Sequence, residues 1–254
     1  MSWEQHVQQL YALDEADPAK LSMARAFLDA IGRQYLQGHE IVERGADAEV
    51  EMRGTWHGAP VRGKIDTNFA LFEWEMRAPN PTATTIHLCF DEDAIPKAGA
   101  FSGANASAWE DRGAKEKEKV FFGRGYFVEA TSAELPRVLA IYDALPPEVR
   151  QNLAACMVGD RISRLLVRDG GSLFLMWSDG LHQLGAGVFD RVARGAWLLG
   201  QVAFGIARVD PAPLPPPGAP PSLSGSEPMT CSYCRSRFLV RQTPSCPNCG
   251  APPR

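Results

Sequence analysis

From Trp3 to Ile31 apolar residues recur at helical spacing, and from His39 to Phe90 they alternate with polar ones. The chain therefore opens with helices and passes into strands. Ser2 followed by Gln5 forms a capping box, and Trp3, Val7, Leu10 and Tyr11 supply an apolar face behind it. Asp17-Pro18 repeats the start signal, an N-cap followed by proline at the first helical position. Leu21, Ala24, Phe27, Leu28 and Ile31 make its stripe, and Gly38 is a stop. Beyond it, "EIVERG", "AEVEMRGTW", "VRGKIDTNF", "ALFEWEMR" and "TTIHLCF" read as strands, with turns at "HGAP" (57–60) and "APNP" (78–81). Phe72, Trp74 and Met76 alternate with Glu73 and Glu75, the signature of an antiparallel meander with one wet face.

Residues 91–119 are polar and end in "EDRGAKEKEK", which predicts a long exposed loop. "KVFFGRGYFVEA" returns to strand. Thr131 and Glu134 frame another capping box ahead of Leu135, Val138, Leu139 and Tyr142, and Pro146-Pro147 starts a further helix with Val149 and Leu153 inward. "RISRLLVRDGGSLFLMWSDG" is a hairpin around Asp169-Gly170-Gly171. Gly187–Arg208 is the last long helix, broad enough on its apolar side to lie in a core or an oligomer interface. The expected class is α+β: antiparallel sheet packed with helices over residues 1–208. The body reads as one domain or as two halves, 1–95 and 120–208, in which "MRGTWHGAPVRGKIDTNF" loosely echoes "RLLVRDGGSLFLMWSDG".

Residues 209–228 contain "PAPLPPPGAPPSLSGSEP", from which no core can be built. At about 3.1 Å per residue in polyproline geometry, such a linker can hold the C-terminal segment up to roughly 60 Å from the body. That segment, 229–254, carries Arg235, Arg237, Arg241 and Arg254 and no acid, so the tail is +4 while the whole chain is −4, leaving −8 for the body. The N-terminus has neither a basic segment nor an apolar run, and "GAWLLGQVAFGIA" is too short for a bilayer, which needs about 20 residues. The expectation is a cytoplasmic chain without a membrane partner, in which cysteines are thiols or metal ligands rather than disulfides.

Four of the six cysteines close the chain as Cys231-x2-Cys234, eleven residues, then Cys246-x2-Cys249. Each pair offers two thiolates from a tight turn, and four thiolates at about 2.3 Å make a closed tetrahedral zinc site. "RSRFLVR" between the pairs alternates like a short strand, and "CPNCG" places glycine where a positive φ turns backbone N–H groups toward sulfur. Redox CxxC motifs come singly on a helix, and disulfides belong to secreted chains. Residues 229–252 resemble the zinc ribbons that end many bacterial proteins. The resemblance implies Cys231, Cys234, Cys246 and Cys249 as structural ligands of one Zn2+, and it implies contact with protein or nucleic acid rather than catalysis. Arg235, Arg237 and Arg241 are the candidate interaction residues; the arginines lean toward nucleic acid, but without lysines or an aromatic stacking stripe beyond Tyr233 and Phe238 the balance falls to a protein partner.

The body holds weaker candidates. Asp91, Glu92 and Asp93 end a strand and offer carboxylates to a divalent ion, but they suit a solvated loop better without a second acidic cluster. Ser178, Asp179 and His182 have triad chemistry, yet triad members meet across a fold, and "SDG" is first a turn. His87 and Cys89 share a strand face as a nucleophile and base would, or as half-buried packing would. His57 suits an exposed turn and Cys156 a core. "GRG" at 123–125 lacks the rest of a dinucleotide fingerprint, and no GxxxxGK[ST], HExxH or GxSxG occurs. No catalytic or cofactor-binding residue is assigned. The expected function is a non-enzymatic zinc-binding adaptor that docks a protein through the ribbon, the body or both, with self-association through helix 187–208. A nucleic-acid-binding accessory protein and a hydrolase-like body are the second and third readings.

Overall fold

A computed structural model describes residues 2–14, 17–44, 49–67, 71–91, 117–177, 181–216, 228–239 and 245–252. Helix α1 (Trp3–Ala12) starts as its sequence dictates: Ser2 Oγ accepts from the Gln5 N–H at 3.2 Å, and Gln5 Oε1 accepts from the Ser2 N–H at 3.0 Å. Asp17 caps α2 (Pro18–Tyr35) by accepting from the Ala19 N–H at 2.8 Å. The chain then runs through β1 (Gln37–Arg44), β2 (Glu49–Trp56), β3 (Ala59–Asp66), β4 (Leu71–Arg77), β5 (Ile86–Phe90), β6 (Lys117–Gly123) and β7 (Tyr126–Thr131). Helices α3 (Leu135–Ala144) and α4 (Pro147–Gly159) precede the hairpin β8 (Arg164–Val167) and β9 (Ser172–Trp177). Helix α5 (Val188–Ala207) closes the body, and β10 (Pro228–Thr230) and β11 (Arg237–Leu239) come after it.

All the described strands form one sheet, ordered β1-β2-β3-β4-β9-β8-β5-β7-β6-β11-β10. Every pairing is antiparallel except that of β11 with β6. The α+β architecture is therefore present, and its strands interleave: β5 lies between β8 and β7, and β4 beside β9. Alternation sends Met52, Ile65, Trp74, Leu175, Leu165, Leu88 and Val128 to one face, where they share a single core with residues of all five described helices.

The opposite face of β2–β4 is a ladder of charge. Glu51, fully buried, accepts from Arg53 and, at 3.4 Å, from Arg62. Arg62 also reaches Glu75 at 2.6 Å, and Lys64 reaches Glu49 at 2.5 Å. Cross-strand pairing of opposite charges keeps the register of such a sheet face specific. Farther along, the same face carries the small apolar cluster Cys89, Phe121 and Phe127.

The capping box expected at Thr131 takes a different form. Glu134 Oε2 accepts from the Thr131 hydroxyl at 2.6 Å, but the helix begins only at Leu135. Pro136 sits in its first turn, where a missing N–H costs nothing, and this fixes the start. The "APNP" turn is braced by Asn80, whose Nδ2 donates to Thr84 O at 3.1 Å and Arg168 O at 2.9 Å. Arg137 then ties this corner to the start of the proline-rich segment, donating to Thr84 Oγ1, Thr82 O and Pro215 O, each at 2.8 Å.

Helix α5 packs on β4 and β9; Trp74 of β4 bonds to its backbone, and Trp177 of β9 bonds to the end of α4 while its ring meets α5. Trp74 Nε1 donates to Val192 O, and Trp177 Nε1 to Asp160 O, both at 2.9 Å. The Trp177 ring lies against Gly195, where a Cβ would stand 2.4 Å from Cη2. Gly195→Ala gains roughly 1 kcal/mol of helix propensity. Overpacking against a ring that is 1% exposed and hydrogen-bonded outweighs that gain, so denaturant melts are expected to show a net loss of about 1–2 kcal/mol. An equal or raised midpoint would mean that α5 rides free of β9. Among the described residues no helix is long and apolar enough to cross a membrane.

Candidate metal centre

The two CxxC segments fold into the same turn twice. In the first, Cys231 O accepts from the Arg235 N–H at 3.0 Å and the Cys231 N–H donates to Ser236 O at 2.9 Å. In the second, Cys246 O accepts from the Gly250 N–H and the Cys246 N–H donates to Ala251 O, both at 2.8 Å. Each turn closes through a left-handed residue after its second cysteine, Arg235 at φ 61° and Gly250 at φ 75°. Glycine takes this conformation freely; arginine adopts it at a cost that the closed turn offsets. In both turns backbone N–H groups approach the first sulfur, those of Tyr233 and Cys234 at Cys231 and those of Asn248 and Cys249 at Cys246.

These turns bring the four ligand atoms within 4.8 Å of one another. Cys231 Sγ lies 3.6 Å from Cys249 Sγ, and Cys234 Sγ 3.7 Å from Cys246 Sγ. A tetrahedron with metal–sulfur bonds of about 2.3 Å has edges of about 3.8 Å, so the cage is sized for an ion of that kind. Cys231 and Cys246 are buried, Cys234 is half-buried and Cys249 exposed. Burial pushes the Cys246 thiol up to about 12 and raises Cys249. At Cys231 burial is outweighed by the N–H groups of Cys234 and Tyr233, which bring the thiol down to about 7. Neighbouring sulfurs in contact resist joint ionisation, and a divalent cation among them removes that conflict. The four cysteines are thus positioned to hold a metal ion, and among the described residues no other group of three or more His, Cys, Asp or Glu is so arranged.

The C-terminal segment around this cage, which is the expected ribbon, pairs with the body. β10 and β11 form a hairpin, and β11 continues the sheet beside β6, with Arg237 opposite Val120 and Phe238 opposite Phe121. Phe238 is 3% exposed and packs with Cys231 and Cys246 as the small core. Arg237 forms an ion pair with Glu118, which also accepts from Ser132 Oγ. Asn248 Oδ1 accepts from the Gly125 N–H at 3.3 Å, while its Nδ2 donates to Ser236 Oγ at 2.8 Å and lies 4.0 Å from Cys234 Sγ. No sequence signal marked Asn248 or Ser236, because the role of Ser236 depends on how the two turns meet and that of Asn248 also on the body surface beside them.

Of the three candidate interaction arginines, Arg235 is exposed at the turn, Arg237 is engaged by Glu118, and Arg241 lies outside the described residues. In the body, Asp91 donates its backbone N–H to Gly125 O at 3.0 Å, whereas Glu92, Asp93, Ser178 and Asp179 and the side chain of His182 lie outside the described residues. His87 and Cys89 do share a strand face. Burial lowers His87 and pushes Cys89 up to about 11, which leaves a neutral thiol rather than a nucleophile. His57 stands exposed against Trp56, with ring centroids 4.4 Å apart, and Cys156 is part of the main core. The chain matches no protein-family model, no curated protein and no solved structure, so its metal centre stands on its own geometry.

Proposed function

We propose that the ion is a structural zinc and that the chain is a non-enzymatic adaptor, presenting the ribbon to a protein partner. An all-thiolate cage of tetrahedral size favours soft or borderline ions, of which zinc has no redox chemistry to damage its ligands. Four protein ligands leave no open position for a substrate, so the ion's contribution is shape. The observation that carries the adaptor reading is the outward surface of the docked ribbon. Tyr233 is 53% exposed and Met229 36% exposed, and Arg235 is exposed as well. Tyrosine, methionine and arginine are the residue types that protein interfaces concentrate. The engagement of Arg237 by Glu118 removes one cation from the stripe that a phosphate backbone would need.

The test is affinity purification of the full-length protein from its native cell, beside a Tyr233→Ala/Met229→Ala variant with zinc content verified in both. The variant is expected to lose at least one specific co-purifying protein, and an identical set of partners would sink the ribbon as docking element. Gel shifts at two salt concentrations decide the competing reading, since nucleic-acid binding through the arginines falls steeply with salt.

A further inference from the structure

Strand β6 would be the edge of the body's sheet if the ribbon were absent. An edge of this composition is hazardous. Lys117, Glu118 and Lys119 blunt its first half with charge, but Val120-Phe121-Phe122 carries none, and apolar β-formers on an open edge invite a foreign strand. The ribbon covers that stretch: Arg237 pairs with Val120 and Phe238 with Phe121. Two side-chain contacts flank the pairing, Arg237 with Glu118 at one end and Asn248 with Gly125 at the other.

Asn248 connects this cover to the cage. It lies between Cys246 and Cys249, so the second turn sets its position, and it reaches Ser236 at the end of the first turn. It is 2% exposed, and it satisfies a backbone donor of the body at the same time. One side chain can span both turns and the β6–β7 loop only while the two turns are held together. Among the described residues the buried apolar group of the ribbon is Cys231, Phe238 and Cys246, far too little to hold the turns together without an ion.

We propose that the ribbon is a metal-set guard of the β6 edge: the loaded cage places Asn248 and β11, and loss of the ion uncovers Val120–Phe122. The guard rests on the cage holding a metal ion. The test is hydrogen exchange on the full-length chain at low concentration, with metal content measured on the same samples. Wild type as isolated, wild type after chelation under reducing conditions, and Asn248→Ala, which keeps all four thiols, are compared. The guard predicts that exchange over residues 117–125 rises about tenfold on chelation and measurably in Asn248→Ala, with α5 unchanged, as expected for a local opening. Metal present with unaltered exchange over 117–125 overturns the guard and leaves the metal reading intact. Equal acceleration in α5 overturns it too, because the ribbon would then be part of the body's global stability. Absence of metal from the reduced protein as isolated overturns the metal reading and the guard with it.

Discussion

Replacing Cys246 by serine is expected to abolish metal retention and unfold the ribbon, the largest single effect predicted for this chain. Cys246 is buried, lies 3.7 Å from Cys234 Sγ, and packs on Phe238. Serine keeps the shape but replaces a soft, polarisable thiolate with a hydroxyl that stays protonated, so the ion loses a quarter of its ligand charge. In ribbons of this size metal binding is the folding free energy, an apparent 10–16 kcal/mol or so for zinc-finger peptides. Native mass spectrometry should find one ion in the wild type and none in the variant, while Cys89→Ser and Cys156→Ser retain it. The helices should remain, because their core does not include the cage. Full metal content in Cys246→Ser would show that the fourth sulfur is dispensable.

The second large effect is on the body. Trp74 is fully buried between β3 and α5, lies close to Gly63, and donates its indole N–H to Val192 O. Trp74→Ala leaves a cavity and should cost about 3–5 kcal/mol, a large share of the roughly 5–15 kcal/mol that holds a typical domain together. Trp74→Phe fills most of the space and forfeits chiefly the hydrogen bond, about 1 kcal/mol. Denaturant melts of the two variants therefore separate packing from hydrogen bonding. Equal losses would assign the stabilisation to the indole N–H, and a small loss in both would mean that α5 does not depend on β4 for its seat.

Local chemistry made much of this legible. The Ser2–Gln5 capping box and the Asp17-Pro18 start depend on atoms within a few residues of each other, so no distant contact could override them. The alternation of Phe72, Trp74 and Met76 survives because, at β2–β4, the sheet has one core face and one charged face. At Thr131–Glu134 the expected hydrogen bond formed, but Pro136 placed the helix start later. The order of strands was not legible. Nothing local tells β5 to insert between β8 and β7, or the proline-rich stretch to be caught at Pro215 by Arg137.

The sequence by itself determined the cage: four thiols in two short turns have few ways to close, and the spacing within each turn sets where its sulfurs point. It also determined the periods of helix and strand, which depend on neighbours along the chain. Only the tertiary structure decided that β11 pairs with β6, that Glu118 engages Arg237 and that Asn248 reaches Gly125. Those contacts join residues more than a hundred positions apart, and their free energy comes from surfaces that exist only after both parts have folded.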